Sequence, residues 1–276
     1  MNFYDWFFLE KGRTPEGLFS FAHLFSVTIS LAVVIFFAIF LGKKFRDDKK
    51  KQNIMMIILA IAILVTQISK IAWLLYESDD TFWNCIIGNA PLYLCDMQIF
   101  IIPLAAITRG RFRNICLDFI AIWGLLMGFL GTYFAGNIYG AHAVISFAAL
   151  NSLVFHLISA FSSAFIFASG LNTMEKKNMW YSVLILVVFM VTALVVDYVD
   201  HHNFMFFFNG DGTPFALYDL FVNHNKILYQ TLIFISQGGY MIAFYFVYFG
   251  IMKRINKTKE KETNNTQLIN EHESAQ

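Results

Sequence analysis

The chain has 276 residues, 58% of them hydrophobic and only 14% charged, with 32 Phe and a net charge of +1. Such a composition excludes a soluble domain of ordinary make-up, and the near-zero net charge gives no basis for a nucleic-acid partner. The charges that do occur are segregated along the chain.

Seven apolar runs follow one another, at about Leu18–Gly42, Ile54–Tyr76, Ala90–Thr108, Ile115–Ala135, Phe147–Leu171, Met179–Tyr198 and Ile227–Ile251. Each is close to the ~20 residues that a helix needs to cross a hydrocarbon core. Backbone in lipid must satisfy its own hydrogen bonds, so each run is predicted to be a helix. The expected fold is therefore all-α: a polytopic membrane protein with seven transmembrane helices. Residues 1–17 form an N-terminal segment, 18–251 a membrane domain, and 252–276 a polar, aperiodic tail expected to be disordered.

Basic residues orient the spans. Of 20 Lys and Arg, 16 fall on one side of this reading: Lys43, Lys44, Arg46, Lys49, Lys50 and Lys51 after the first span, Arg109, Arg111 and Arg113 after the third, Lys176 and Lys177 after the fifth, and Lys253, Arg254, Lys257, Lys259 and Lys261 after the seventh. The other side holds Lys11, Arg13 and Lys226, and Lys70 lies inside a span. Positive loops stay cytoplasmic, which places the N-terminus outside and the C-terminus inside. The first span lacks a basic leader and precedes a basic run, so it reads as an uncleaved helix rather than a signal peptide.

Ionisable groups inside spans are costly, and each is a functional candidate. His23 in the first span, Gln67 and Lys70 in the second, Cys95, Asp96 and Gln98 in the third, His156 in the fifth and Asp197 in the sixth all fall toward the outer leaflet; Asp118 alone falls on the inner side. This common depth predicts a polar cavity opening outward. Ser20, His23, Ser26 and Ser30 share one helical face, as do Ser152, His156, Ser159 and Ser163, and small or hydroxyl residues mark packed helix faces. A buried histidine can equally serve only to join helices. Gly124, Gly128 and Gly131 read as a close helix contact.

The third run opens with Asn89-Ala90-Pro91-Leu92-Tyr93-Leu94-Cys95-Asp96. Pro91 suits a first helical turn, which would put Cys95 about one turn inside. By helical rise Cys95 lies ~8 Å and His156 ~14 Å below the outer boundary, within reach if the helices tilt. A Cys–His nucleophile pair is one reading, and an inert small apolar cysteine the bland one. Cys85 and Cys95 are placed on the same side, so a disulfide is geometrically possible. Among Asp200, His201, His202 and His224 the spacing matches no defined metal site, and neither a metal nor another cofactor is expected. The Phe-rich loop between the sixth and seventh runs is expected to cover the cavity, with Asn-Gly-Asp-Gly before Pro214 forming a turn.

At these residues the chain resembles the YwaF-like family of bacterial integral membrane proteins. The likeness rests on His23, Pro91-Leu92-Tyr93-Leu94-Cys95-Asp96, His156, Asn203-Phe204-Met205-Phe206 and Pro214-Phe215, in that order. This chain carries Tyr93 where the family usually has His. Eukaryotic relatives resemble a transmembrane acyltransferase of ether lysophospholipids, and a more distant likeness is to androgen-induced membrane hydrolases. The resemblance implies Cys95 as acyl-accepting nucleophile, His156 as its base and Asn203 as an oxyanion or orienting group, in a bacterial cell membrane.

Two functions are therefore expected in competition. One is a lipid acyltransferase or acyl-ester hydrolase acting on a membrane phospholipid or other acyl lipid, with His23, Lys70, Asp96, Asp197 and Asn203 supporting Cys95 and His156. The other is a non-enzymatic transporter or sensor, in which His23, Asp96, His156 and Asp197 form a proton or solute path.

Overall fold

A computed structural model describes residues 2–77, 82–172, 174–210, 213–222 and 225–274, with side chains described through residue 258. Among the described residues there is no strand. The helices are α1 (Phe3–Phe7), α2 (Phe21–Lys44), α3 (Lys49–Glu77), α4 (Phe82–Gly88), α5 (Met97–Ile107), α6 (Gly110–Tyr133), α7 (Gly136–Tyr139), α8 (Phe147–Ser169), α9 (Met179–Asp200), α10 (Ala216–Asp219) and α11 (Lys226–Ser274). Among the described residues, six stretches are long and apolar enough to cross a membrane.

The third expected span is the exception. Helix begins only at Met97 and lasts 11 residues, with Pro103 inside it. Residues 89–96 are irregular, closed by short turns such as Asp96 N–H to the Tyr93 carbonyl (2.9 Å) and Gln98 N–H to the Cys95 carbonyl (3.2 Å). Pro91 thus does not start the helix. It lacks an N–H and disfavours helical geometry at Ala90, and a non-helical backbone is tolerated at membrane depth where it lines a cavity. The expected boundary at residue 252 is likewise unmarked by a break, because α11 continues to Ser274.

Small residues set the centre of the bundle, where α8 packs against both α6 and α2. A Cβ on Gly124 would lie 2.4 Å from the Ser159 carbonyl oxygen, and one on Gly128 2.5 Å from Ala160 Cβ. Only glycine lets these backbones approach so closely, and the α6 glycines form the helix contact their spacing predicts. Ser163 Oγ–H crosses the same seam to the Ala121 carbonyl (2.5 Å). Ser146 caps α8 by accepting from Ala149 N–H (3.2 Å), and Gly170 ends it with φ +61°.

Large apolar side chains on the outside of α2, α3, α9 and α11, including Phe36, Ile61, Val195 and Phe246, are more than half exposed. That is the surface expected of helices that face lipid rather than water.

Candidate functional site

A cavity of about 580 Å³ lies between α3, the irregular 89–96 segment, α6, α8 and α11. Lys70, Cys95, Asp96 and His156, drawn from three separate apolar runs, all line it. The late start of α5 at Met97 leaves Cys95 in the irregular segment just ahead of it.

His156 is held in a defined state. Its Nδ1 lies 2.7 Å from the Ser152 carbonyl, which can only accept, so Nδ1 carries the proton and Nε2 presents a lone pair. Its edge rests on Gly131, where a Cβ would come within 2.0 Å of both Cδ2 and Nε2. Cys95 Sγ–H points to Asp96 Oδ1 at 3.7 Å. Lys70 forms no ion pair among the described residues. No hydrogen bond joins Cys95 to His156 among the described residues.

Gln67 also lines the cavity, whereas His23, Asp118, Asp197 and Asn203 are not among its lining residues. His23 is fully buried with both ring nitrogens engaged: Nε2 donates to the Thr132 carbonyl (2.9 Å) and Nδ1 accepts from Phe19 N–H (3.1 Å). A histidine so saturated joins α2 to α6 and has no free lone pair for chemistry. Asp197 Oδ1 accepts from Phe204 N–H (2.7 Å), anchoring the outer loop to α9. Asn203 donates to Asn209 Oδ1 (2.8 Å) and accepts from Phe208 N–H (2.8 Å), closing that same loop on itself. Asp118, at the inner end of α6, accepts from Asn178 (3.2 Å), Tyr245 (3.0 Å) and Asn172 (2.5 Å), a buried knot linking α6, α9 and α11.

The Phe-rich loop does contribute to the cavity wall, through Phe206, Pro214 and Phe215. Phe206 and Tyr93 rings lie 5.6 Å apart. Met205 and Phe206 hold φ of +52° and +63°, a left-handed backbone that costs roughly 1–2 kcal/mol per residue without glycine. Asp211 and Gly212 of the expected turn lie outside the described residues. All three cysteines are free. Asp200, His201 and His202 form no metal-binding group among the described residues, and His224 lies outside them.

Sequence reasoning missed the N-terminal segment as a brace for the cavity wall. Glu10 accepts from His142 Nδ1 (2.7 Å) and Ala143 N–H, and Phe8 stacks on Phe147 at 5.1 Å. His142 and Phe147 themselves line the cavity. An aromatic-rich opening followed by Glu10 was the available signal, but it specifies no partner by itself.

A bundle of long apolar helices around a cavity lined largely by apolar side chains, with a few polar groups among them, defines the class: a multi-pass α-helical membrane protein. Within that class the chain belongs to the TMEM164 family, whose model matches residues 18–253. No curated protein and no solved structure matches it.

Proposed function

We propose that this protein is a lipid-modifying membrane enzyme, an acyltransferase or acyl-ester hydrolase, with Cys95 as nucleophile and His156 as base. The carrying observation is that Cys95 and His156 line one cavity, with His156 held as the tautomer that can take a proton at Nε2. The bacterial and eukaryotic likeness of the Pro91–Asp96 and His156 motifs points the same way.

In this reading the thiol gives its proton to His156 Nε2 as sulfur attacks the ester carbonyl. The tetrahedral adduct collapses to a thioester, and the leaving alkoxide takes the proton from the imidazolium. Water or an acceptor hydroxyl then repeats the cycle at the thioester. Lys70, at the wall and without an ion pair among the described residues, positions an anionic headgroup. Seven crossings, with the N-terminus outside a bacterial plasma membrane, complete the proposal.

One observation favours a carrier instead: an unwound crossing that lines a cavity is also how transporters build substrate sites. Intact mass spectrometry on the purified protein in phosphatidylethanolamine and phosphatidylcholine bilayers separates the two. A hydroxylamine-sensitive acyl adduct, absent from Cys95→Ala and reduced in His156→Ala, is the expected result. A folded wild type that gains no adduct from these phospholipids or from acyl-CoA overturns the enzyme.

A further inference from the structure

Acyl transfer to a thiol places a negative charge on the former carbonyl oxygen, and that charge needs donors. Asn203, the residue the resemblance offers, has its amide engaged within its own loop. Three buried side-chain donors that line the cavity, on Trp73, Trp123 and Gln237, have no partner among the described residues. Trp123 Nε1–H and the Gln237 amide are both buried without hydrogen bonds, and both residues line the cavity. Buried polar groups are nearly always satisfied, so an unsatisfied pair at a cavity wall calls for a ligand atom.

Depth singles out these two. By helical rise, His156, Trp123 and Gln237 lie about 14–17 Å in from the Phe147, Tyr133 and Lys226 ends of their helices, whereas Lys70 and Trp73 lie about 10 and 6 Å in from Glu77. Trp73 also lines the cavity with an unpartnered indole N–H, but it is three residues beyond Lys70 and belongs to that outer layer. Gln98 is buried and unpartnered too, yet it does not line the cavity. Trp123 is fixed in place by Tyr240, whose ring lies 5.1 Å away and whose hydroxyl donates to the Ile122 carbonyl (3.3 Å).

We infer that Trp123 Nε1–H and Gln237 Nε2–H form the oxyanion-binding pair for the tetrahedral adduct on Cys95, which makes both catalytic residues of the proposed reaction. This rests on the acyl-transfer reading and adds to it the groups that hold the developing charge. As the Cys95 sulfur–carbon bond forms, the carbonyl π electrons move onto oxygen, which then accepts from the indole and the amide. When the adduct collapses, those electrons re-form the carbonyl and the leaving alkoxide departs with the proton held by His156.

The test compares two reactions of the same thiol. Acylation by p-nitrophenyl decanoate passes through an oxyanion, whereas alkylation by iodoacetamide displaces iodide and forms none. Both rates are measured by intact mass for wild type, Trp123→Phe and Gln237→Leu. Removing one such donor is expected to slow acylation by about 10²–10³-fold. Alkylation should keep its wild-type rate, which also shows that the site remains folded and open. Unchanged acylation in both variants overturns the oxyanion assignment while leaving Cys95 acylation standing. Equal slowing of both reactions also overturns it, since the defect is then one of access or fold. Wild type that alkylates but never acylates removes the enzyme reading itself, and the pair with it.

Discussion

Gly131 shows how one missing side chain sets the chemistry of another. The His156 ring occupies the space that a Cβ at residue 131 would fill. Gly131→Ala is therefore expected to push the imidazole off its seat, at a destabilisation of about 1–3 kcal/mol for overpacking. A displacement of about 1 Å is enough to lower acyl-adduct formation roughly 10²-fold. Thermal unfolding in detergent and adduct rate, measured together, check this. A rate equal to wild type would show that the ring has another productive position. The contrast with His23 is instructive, because both histidines lie on hydroxyl-rich helical faces and read alike in the sequence. Only the count of engaged ring nitrogens separates the joining histidine from the available one.

At the scale of elements, the outer wall depends on a contact between distant segments. Glu10 is the acceptor for both His142 and Ala143, and each such bond contributes about 1 kcal/mol net. Glu10→Ala should loosen the wall and speed alkylation of Cys95 by roughly tenfold, since 1.4 kcal/mol corresponds to a factor of ten. Rates that match wild type would assign the N-terminal segment no part in access. The turn between α2 and α3 carries a smaller, signed effect. Hydrogen bonding from Lys51 holds the Asp48 carboxyl below its usual range. A carboxylate lowered on folding contributes stability above the unfolded pKa of about 3.9 and loses it as pH falls through the folded value. The unfolding midpoint of wild type should fall more steeply below about pH 4 than that of Asp48→Asn, which keeps the cap without titrating. Parallel pH profiles would remove Asp48 from acid sensitivity.

For the whole molecule, parity constrains the broken crossing. Lys49, Lys50 and Lys51 begin α3, and Arg109, Arg111 and Arg113 precede or begin α6. Both clusters can lie on the cytoplasmic side only if the 89–107 segment returns across the membrane after α3. An 11-residue helix spans only about 16 Å, so the irregular segment before it must supply the rest. Single cysteines at positions 3 and 266 in a Cys85→Ser/Cys95→Ser/Cys116→Ser background should label from outside and inside, respectively, with an impermeant maleimide on intact cells. Labelling of both from one face would break the odd count and the orientation with it.

How much of this was legible in the residues follows from what a one-dimensional pattern encodes. Apolar length and basic asymmetry act residue by residue against lipid and cytoplasm, so the all-helical membrane class was determined by sequence alone. The glycine seam along α6 was readable for the same local reason, a three-to-four-residue period on one helix. The gathering of Lys70, Cys95, Asp96 and His156 around one cavity was anticipated only as a shared depth. Tertiary structure alone decided that Asp197 anchors the following loop to α9, that Asn203 closes that loop and that His23 joins two helices. It also decided that the third apolar run becomes helical only at Met97, which no apolar count could reveal. Whether a polar group is satisfied, or a helix may open at membrane depth, depends on which atoms of other segments stand opposite it, and only packing brings those atoms together.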